Sequence, residues 1–120
     1  MPRSVTVRIA LLCTSLFAFG TACSSATAVG GGCSTSGDCG GGICLQSSDF
    51  PSGYCSQSCT PSNPASCPTG SVCIDDASGA PADAGISAVC YQSCTTTADC
   101  GRTGYTCLEK SGHLVCRNGT

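Results

Sequence analysis

The sequence predicts a small disulfide-rich fold of three tandem four-cysteine units. Each unit is a knuckle followed by a β-hairpin, mostly loop, with little strand and almost no helix after an N-terminal signal peptide. Two observations predict it. Twelve of the fourteen cysteines lie between Cys33 and Cys116. The 84 residues of that stretch include only ten Ile, Leu, Val, Phe and Met residues, too few to build a core of their own.

Cross-links are therefore expected to take the place of an apolar core. Ordering a residue costs roughly 1.5 kcal/mol, and burial of so few apolar side chains does not offset that cost. A disulfide contributes about 2–4 kcal/mol by restricting the unfolded chain. Six disulfides predict a chain that folds outside the reducing cytosol.

The three units occupy residues 33–55, 59–90 and 94–116, and a three-residue spacer joins each unit to the next. All twelve cysteines of the units are expected to form disulfides: Cys33, Cys39, Cys44, Cys55, Cys59, Cys67, Cys73, Cys90, Cys94, Cys100, Cys107 and Cys116. In each unit the knuckle runs from the first cysteine to the second. Asp38 and Asp99 precede the second cysteine of units 1 and 3 and are expected to accept hydrogen bonds from nearby backbone amides, whereas unit 2 has Ser66 there.

Each hairpin is expected to have its two strands centred on the third and fourth cysteines of the unit. A branched aliphatic residue follows the third cysteine in every unit and also precedes it in units 1 and 2, whereas Thr106 precedes it in unit 3. A glycine suited to positive φ stands three residues before that cysteine, at Gly41, Gly70 and Gly104. Ser111-Gly112 predicts a tight turn in unit 3. In unit 2 the connection, residues 75–87, is long and rich in Ala, Gly and Pro.

Four cysteines permit three pairings, and the sequence alone does not choose among them. We favour first-to-third and second-to-fourth bonds, because crossed links tie the knuckle to both hairpin strands. A bond between Cys55 and Cys59 across the spacer is geometrically feasible but closes a very small loop and contributes less. The favoured bonds are Cys33–Cys44, Cys39–Cys55, Cys59–Cys73, Cys67–Cys90, Cys94–Cys107 and Cys100–Cys116.

This cysteine pattern, with Asp before the second cysteine and Gly before the third, resembles the N-terminal cysteine-rich module of Dickkopf proteins. It is most similar to the tandem copies in cysteine-rich lipoproteins of myxobacteria and their relatives. The resemblance covers residues 33–116 and is carried largely by the cysteines. Unit 2 departs from it, since it has a longer knuckle and hairpin and no Asp. In eukaryotic members the module belongs to extracellular signalling antagonists, a role that the resemblance does not extend to a bacterial envelope protein.

The N-terminus, residues 1–22, has the order of a secretory signal: two arginines, an apolar run over residues 9–20, then small residues. Gly20-Thr21-Ala22-Cys23 resembles a lipobox, although Gly20 departs from the Leu usual there. That resemblance implies cleavage before Cys23 and a lipid on Cys23 as the link to the membrane. Ala26-Thr27-Ala28 is an alternative site for ordinary signal peptidase. Residues 23–32 are expected to be the lipid-anchored cysteine and a flexible tether.

Several classes of function are disfavoured. The chain has few cations, so nucleic acid is not an expected partner. No C-x2-C pair is present, and His113 is the single histidine, which argues against zinc, thiol redox and triad chemistry. Three aspartates lie in the long loop, but they lack the spacing of a calcium ligand loop: Asp75, Asp76 and Asp83. Neither a metal nor a cofactor is predicted.

The sequence thus favours a non-catalytic lipoprotein of the cell envelope, in the outer membrane or otherwise secreted. It would be a binding or structural module whose loops meet an extracellular protein or glycan ligand. The alternative is a small protease inhibitor presenting residues 75–87. Because that loop is glycine-rich and has no cysteine inside it, we expect it to be too flexible for inhibition.

Overall fold

The structure is a computed structural model, and it describes residues 27–119. The signal peptide predicted for residues 1–22, the lipid site at Cys23 and the first part of the tether lie outside the described residues. Six strands form three two-stranded antiparallel sheets: β1 (Ile43–Leu45) with β2 (Tyr54–Ser56), β3 (Ser71–Ile74) with β4 (Val89–Gln92), and β5 (Tyr105–Lys110) with β6 (His113–Asn118). A short 3₁₀ helix precedes each sheet, at Ser36–Cys39, Pro64–Ser66 and Thr97–Cys100. The rest is turn and loop, so the predicted fold class is confirmed.

The hairpins are centred on the cysteines as the sequence predicted. The third and fourth cysteines are direct cross-strand partners in every sheet: Cys44 with Cys55, Cys73 with Cys90, and Cys107 with Cys116. The glycines three residues before each third cysteine have φ of 90°, 87° and 89°, a conformation that glycine adopts without strain. Ser111 and Gly112 also have positive φ, 53° and 83°, as a two-residue hairpin turn of this hand requires.

Two of the knuckles are closed by the aspartate before the second cysteine. One carboxylate oxygen of Asp38 accepts from the backbone N–H groups of Ser34 and Thr35, at 2.9 and 3.1 Å. Asp99 accepts from the N–H groups of Thr95 and Thr96 at 2.8 and 3.0 Å. These bonds satisfy amides at the start of a 3₁₀ turn, which has no backbone partner for them. They also lower the pKa of both carboxyls.

All twelve cysteines of the units are in disulfides, in the first-to-third and second-to-fourth pairs favoured from the sequence. The Cα atoms of each pair lie 5.4–5.9 Å apart, within the usual range for a disulfide. The first-to-third bond joins the start of the knuckle to the first strand, and the second-to-fourth bond joins its end to the second strand. Each knuckle is therefore fixed to both strands of its hairpin.

The segment before each unit pairs with the strand that holds its fourth cysteine. The Cys90 N–H donates to the Gln57 carbonyl at 3.0 Å, and the Cys55 N–H donates to the Gly31 carbonyl at 2.8 Å. Gly30 N–H donates back to the Cys55 carbonyl at 2.9 Å. The glycines before Cys33 thus occupy the place that the spacer occupies in unit 2.

This pairing corrects the expectation of a flexible tether, at least for its described end. Val29 packs against the core, and the Arg102 guanidinium donates to the Gly30 carbonyl at 3.0 Å. Thr27 N–H donates to the Asp38 carbonyl at 3.1 Å. The small residues of this segment suggested mobility. They instead let its backbone lie close to unit 1, where it pairs with the outer side of β2.

The expectation that disulfides replace a core is also wrong. One apolar cluster lies where the three hairpins meet, and it takes residues from each of them. Its aliphatic members, each no more than 1% exposed, are Leu45, Ile74, Val89 and Val115. Its aromatic members are Phe50, Tyr54, Tyr91 and Tyr105, with ring centroids 5.4–6.1 Å apart. Counting aliphatic residues and phenylalanine missed the three tyrosines, which are all the tyrosines of the chain.

Tyr54 joins the three units through its hydroxyl group. The hydroxyl donates to the Cys116 carbonyl in unit 3 at 3.1 Å and accepts from the Gln92 N–H at the end of β4 at 2.8 Å. The residue itself is fully buried in unit 1, and its burial raises its pKa. Its ring fills the centre of the cluster, and its one polar atom is satisfied there.

Candidate functional site

In the described part of the chain, a polar cleft lies where the three units meet. Its volume is about 130 Å³. Unit 1 contributes the turn before β2, unit 2 the start of its long loop and β4, and unit 3 the ends of β5 and β6. The lining residues are Asp49, Phe50, Asp76, Ser78, Tyr91, Lys110, Arg117 and Asn118.

On one side of the cleft, two opposite charges of the protein form a salt bridge. Lys110 Nζ lies 2.8 Å from Asp76 Oδ2, and the same ammonium sits 5.9 Å from the centre of the Tyr91 ring. The Ser78 N–H also donates to Asp76, at 2.9 Å. The hydrogen bond from Lys110, followed by those from Ser78, lowers the pKa of Asp76 to about 2. Asp76 is therefore a carboxylate at any neutral pH.

Tyr91 forms the base of the cleft, where its ring is held by Phe50 and Tyr54. Burial raises its pKa to about 12, and the charges of Asp76, Arg117 and Asp49 act on it as well. Its hydroxyl has no hydrogen-bond partner among residues 27–119, yet it is not enclosed. The hydroxyl is thus a neutral donor and acceptor that solvent or a ligand reaches.

Asp49 and Arg117 are the remaining charges. Within residues 27–119 the single salt bridge is Lys110–Asp76, so no opposite charge from these residues lies within 4.0 Å of Asp49 or Arg117. Arg117 donates through one terminal nitrogen to the Glu109 carbonyl at 3.1 Å, which restrains the guanidinium. Asn118 donates to the Ser48 carbonyl at 3.1 Å and so holds unit 3 against the turn that carries Asp49.

The long loop of unit 2, residues 75–87, is held at several points, contrary to the expectation that it is too flexible. The Gln46 N–H of unit 1 donates to the Gly79 carbonyl at 3.0 Å, and Ala77, Ala80 and Ile86 pack against the core. A Cβ on Gly79 would lie 2.6 Å from the Phe50 ring. The small residues that suggested flexibility instead permit this close approach. Residues 81–85 remain exposed at the tip.

The cysteines expected in disulfides do not provide a metal site. In each unit three sulfurs lie within 4.8 Å of one another, namely those of Cys33, Cys39 and Cys55, of Cys59, Cys67 and Cys73, and of Cys94, Cys100 and Cys116. Every one of these sulfurs belongs to a disulfide. Zinc is bound by thiolates, and a disulfide sulfur is not one.

The histidine and the loop aspartates weighed from the sequence as catalytic or calcium-binding residues do not form one site. His113 is exposed at the first residue of β6. Asp75 and Asp83 are exposed, and Asp76 is engaged with Lys110 and Ser78. No group of carboxylates suited to an ion occurs among residues 27–119. The predicted lipid site at Cys23 lies outside the described residues.

The cleft itself was missed. Its charged residues lie far apart in the sequence, and none belongs to a recognisable motif. One signal was present: the second spacer begins with Tyr91, where the first begins with Ser56. An aromatic residue at an otherwise small, polar position indicates that the second spacer packs against another unit.

Comparison with known proteins gives no relative: no family model, no curated protein and no solved structure matches the chain. Among the residues that the structure describes, no helix has the length and apolar character needed to cross a bilayer.

Proposed function

We propose that the chain is a non-catalytic lipoprotein of the cell envelope that acts as a disulfide-stabilised binding or structural module. The observation that carries the proposal is the pairing of every cysteine from 33 to 116 in six disulfides. Such a framework is typical of proteins in an oxidising compartment. It also leaves no thiol in the three units for nucleophilic or redox chemistry.

The three units are, on this proposal, copies of one ancestral unit related to the tandem modules of myxobacterial cysteine-rich lipoproteins and, more distantly, to the Dickkopf N-terminal module. The shared crossed disulfides, the cysteine register of the hairpins and the positive-φ glycines support repetition. Repetition of this kind suits a scaffold that varies its loops while it keeps its frame.

The N-terminal contacts disfavour cleavage after Ala28, so we propose that residues 1–22 are removed and that the lipid is attached at Cys23. Thr27 N–H donates to the Asp38 carbonyl, and the Ala28 carbonyl accepts from the Gly31 N–H at 2.9 Å. A cut after Ala28 would remove both interactions, whereas a cut before Cys23 keeps them.

The test is the intact mass of the mature protein, measured before and after reduction. We expect a gain of twelve hydrogens on reduction, as six disulfides require, and acyl mass on Cys23 with the protein in the membrane fraction. In a Cys23→Ala variant the acyl mass and the membrane association should both be lost. Free thiols in the native protein would refute the export argument, and an N-terminus at Val29 would refute the anchor.

A protease inhibitor is a second candidate, because the anchored loop leaves residues 81–85 exposed on a braced base. Bracing lowers the entropic cost of binding an exposed loop to a protease. Incubation with proteases of several specificities distinguishes the two functions. Slow, tight inhibition with the loop intact would favour the inhibitor, and rapid cleavage within residues 81–85 without inhibition would exclude it.

A further inference from the structure

The cleft presents two opposite charges that form no salt bridge with any of residues 27–119. Asp76 and Lys110 neutralise each other at 2.8 Å, whereas Asp49 and Arg117 have no such partner within residues 27–119. Both of these charges act on Tyr91, whose hydroxyl is the solvent-reached polar atom at the base. The cleft is therefore lined by two carboxylates and two cations, one of each being unpaired within residues 27–119.

This arrangement discriminates among small ligands by their charge. A simple anion that pairs with Arg117 also meets the carboxylates of Asp49 and Asp76, and a simple cation that pairs with Asp49 meets Arg117 and Lys110. A neutral molecule leaves both free charges uncompensated as it displaces their water, which is costly. A ligand that carries one positive and one negative group compensates both at once.

We infer that the cleft binds a small zwitterion with neighbouring ammonium and carboxylate groups, of the free α-amino acid type. Asp49 takes the ammonium, Arg117 takes the carboxylate, and the Tyr91 hydroxyl contributes a neutral hydrogen bond between them. The cleft volume of about 130 Å³ restricts the site to small members of that class. The inference deepens the proposed function and rests on its binding role, but it does not depend on the lipid anchor.

The site is preformed by contacts that need no ligand. Lys110, Asp76 and Ser78 fix one wall, and the bond from Arg117 to the Glu109 carbonyl fixes the guanidinium. Preformed polar groups bind without a reorganisation cost, which raises affinity. The carboxylate end of the ligand is expected to form charge-assisted hydrogen bonds with the nitrogens of Arg117 that do not contact Glu109.

The experiment is a titration of the mature, oxidised, ¹⁵N-labelled protein followed by amide chemical shifts. The probes are glycine and alanine as zwitterions, acetate and methylammonium as single charges, and glucose as a neutral molecule. We expect saturable shifts with glycine and alanine at Asp49, Tyr91, Lys110 and Arg117, and weak, non-saturating shifts with the other three probes.

Two variants test the assigned contacts. Asp49→Asn and Arg117→Gln should each weaken zwitterion binding about tenfold to a hundredfold, the cost of losing a hydrogen bond to a charged group. Asp83→Asn makes the same chemical change in the exposed loop and should leave binding unchanged. Spectra of the two cleft variants that match the native spectrum away from the cleft establish that they are folded.

Absence of saturable shifts with either amino acid at millimolar concentrations would overturn the inference. Equal binding of glucose, or undiminished binding by Asp49→Asn and Arg117→Gln, would overturn it too. Fractionation of the cell reports on the anchor independently, so the failure of the zwitterion site and the failure of the envelope proposal are distinguishable.

Discussion

Tyr54 is the residue on which the contact among the three units depends. Its ring is buried among Phe50, Tyr91 and Tyr105. Its hydroxyl donates to a carbonyl of unit 3 and accepts from the N–H at the end of β4. A phenylalanine would fill the same space but leave those two backbone groups without this partner. Burial of an unpaired polar group costs about 1–3 kcal/mol.

We therefore predict that Tyr54→Phe lowers the free energy of unfolding by about 1–3 kcal/mol, with the six disulfides intact. Denaturant unfolding of the oxidised protein measures it. Tyr91→Phe is the matched control, because the Tyr91 hydroxyl has no hydrogen-bond partner within residues 27–119. Equal losses in the two variants would show that the Tyr54 hydroxyl does not connect the units.

Among the elements, the knuckles differ in how they respond to acid. Asp38 and Asp99 close the knuckles of units 1 and 3 with carboxylates that accept backbone hydrogen bonds. In unit 2 the Ser66 hydroxyl does the equivalent by accepting from the Thr60 N–H at 3.0 Å. A hydroxyl does not titrate in this range, so acid acts on two knuckles and not on the third.

The backbone hydrogen bonds lower the pKa of Asp38 and Asp99 below that of the unfolded chain. A lowered pKa means that the carboxylates contribute stability fully above the unfolded value of about 4. That contribution disappears as the pH falls through the folded pKa. We predict a melting temperature that is level near neutral pH and falls below about pH 4.

The double variant Asp38→Asn with Asp99→Asn should show a smaller fall in melting temperature over the same acid range, measured by circular dichroism. Some fall will remain, because the pKa of Asp76 is also lowered, to about 2. Asp83→Asn should keep the native profile. A double variant with the native acid profile would mean that the knuckle carboxylates do not link pH to stability.

At the scale of the whole molecule, the three units share one core and are expected to unfold together. Val115 is fully buried in unit 3 and belongs to the same cluster as residues of units 1 and 2. We predict that Val115→Ala destabilises the protein by about 2 kcal/mol and speeds hydrogen exchange at the amides of Tyr54 and Tyr91.

Leu114→Ala provides the control for this prediction, since Leu114 is the neighbouring residue and is 51% exposed. It should leave stability and exchange almost unchanged. If faster exchange in Val115→Ala were confined to residues 94–116, the units would be independent domains joined by spacers, and the shared core would contribute little.

Whether a feature could be predicted from the sequence depends on how far apart in the chain its residues lie. The Cys107–Cys116 hairpin, its Ser111-Gly112 turn and the Asp99 knuckle depend on neighbours within one unit, and spacing revealed them. Contacts between units depend on residues remote in the chain, such as Tyr54 with Cys116 and Gln92. The cleft brings together residues of all three units, so no local sequence pattern predicted it. The shared core was not predicted because three of its four aromatic members are tyrosines.

The attachment of Thr27 to the Asp38 carbonyl has a consequence for the position of the protein at a membrane. If Cys23 carries the lipid, only three residues separate it from Thr27, and a fully extended chain spans about 14 Å over that distance. The three cysteine-rich units would then lie within about one or two headgroup-layer thicknesses of the bilayer. Its unit 1 knuckle would face the lipid, and the protein would have little freedom to turn over.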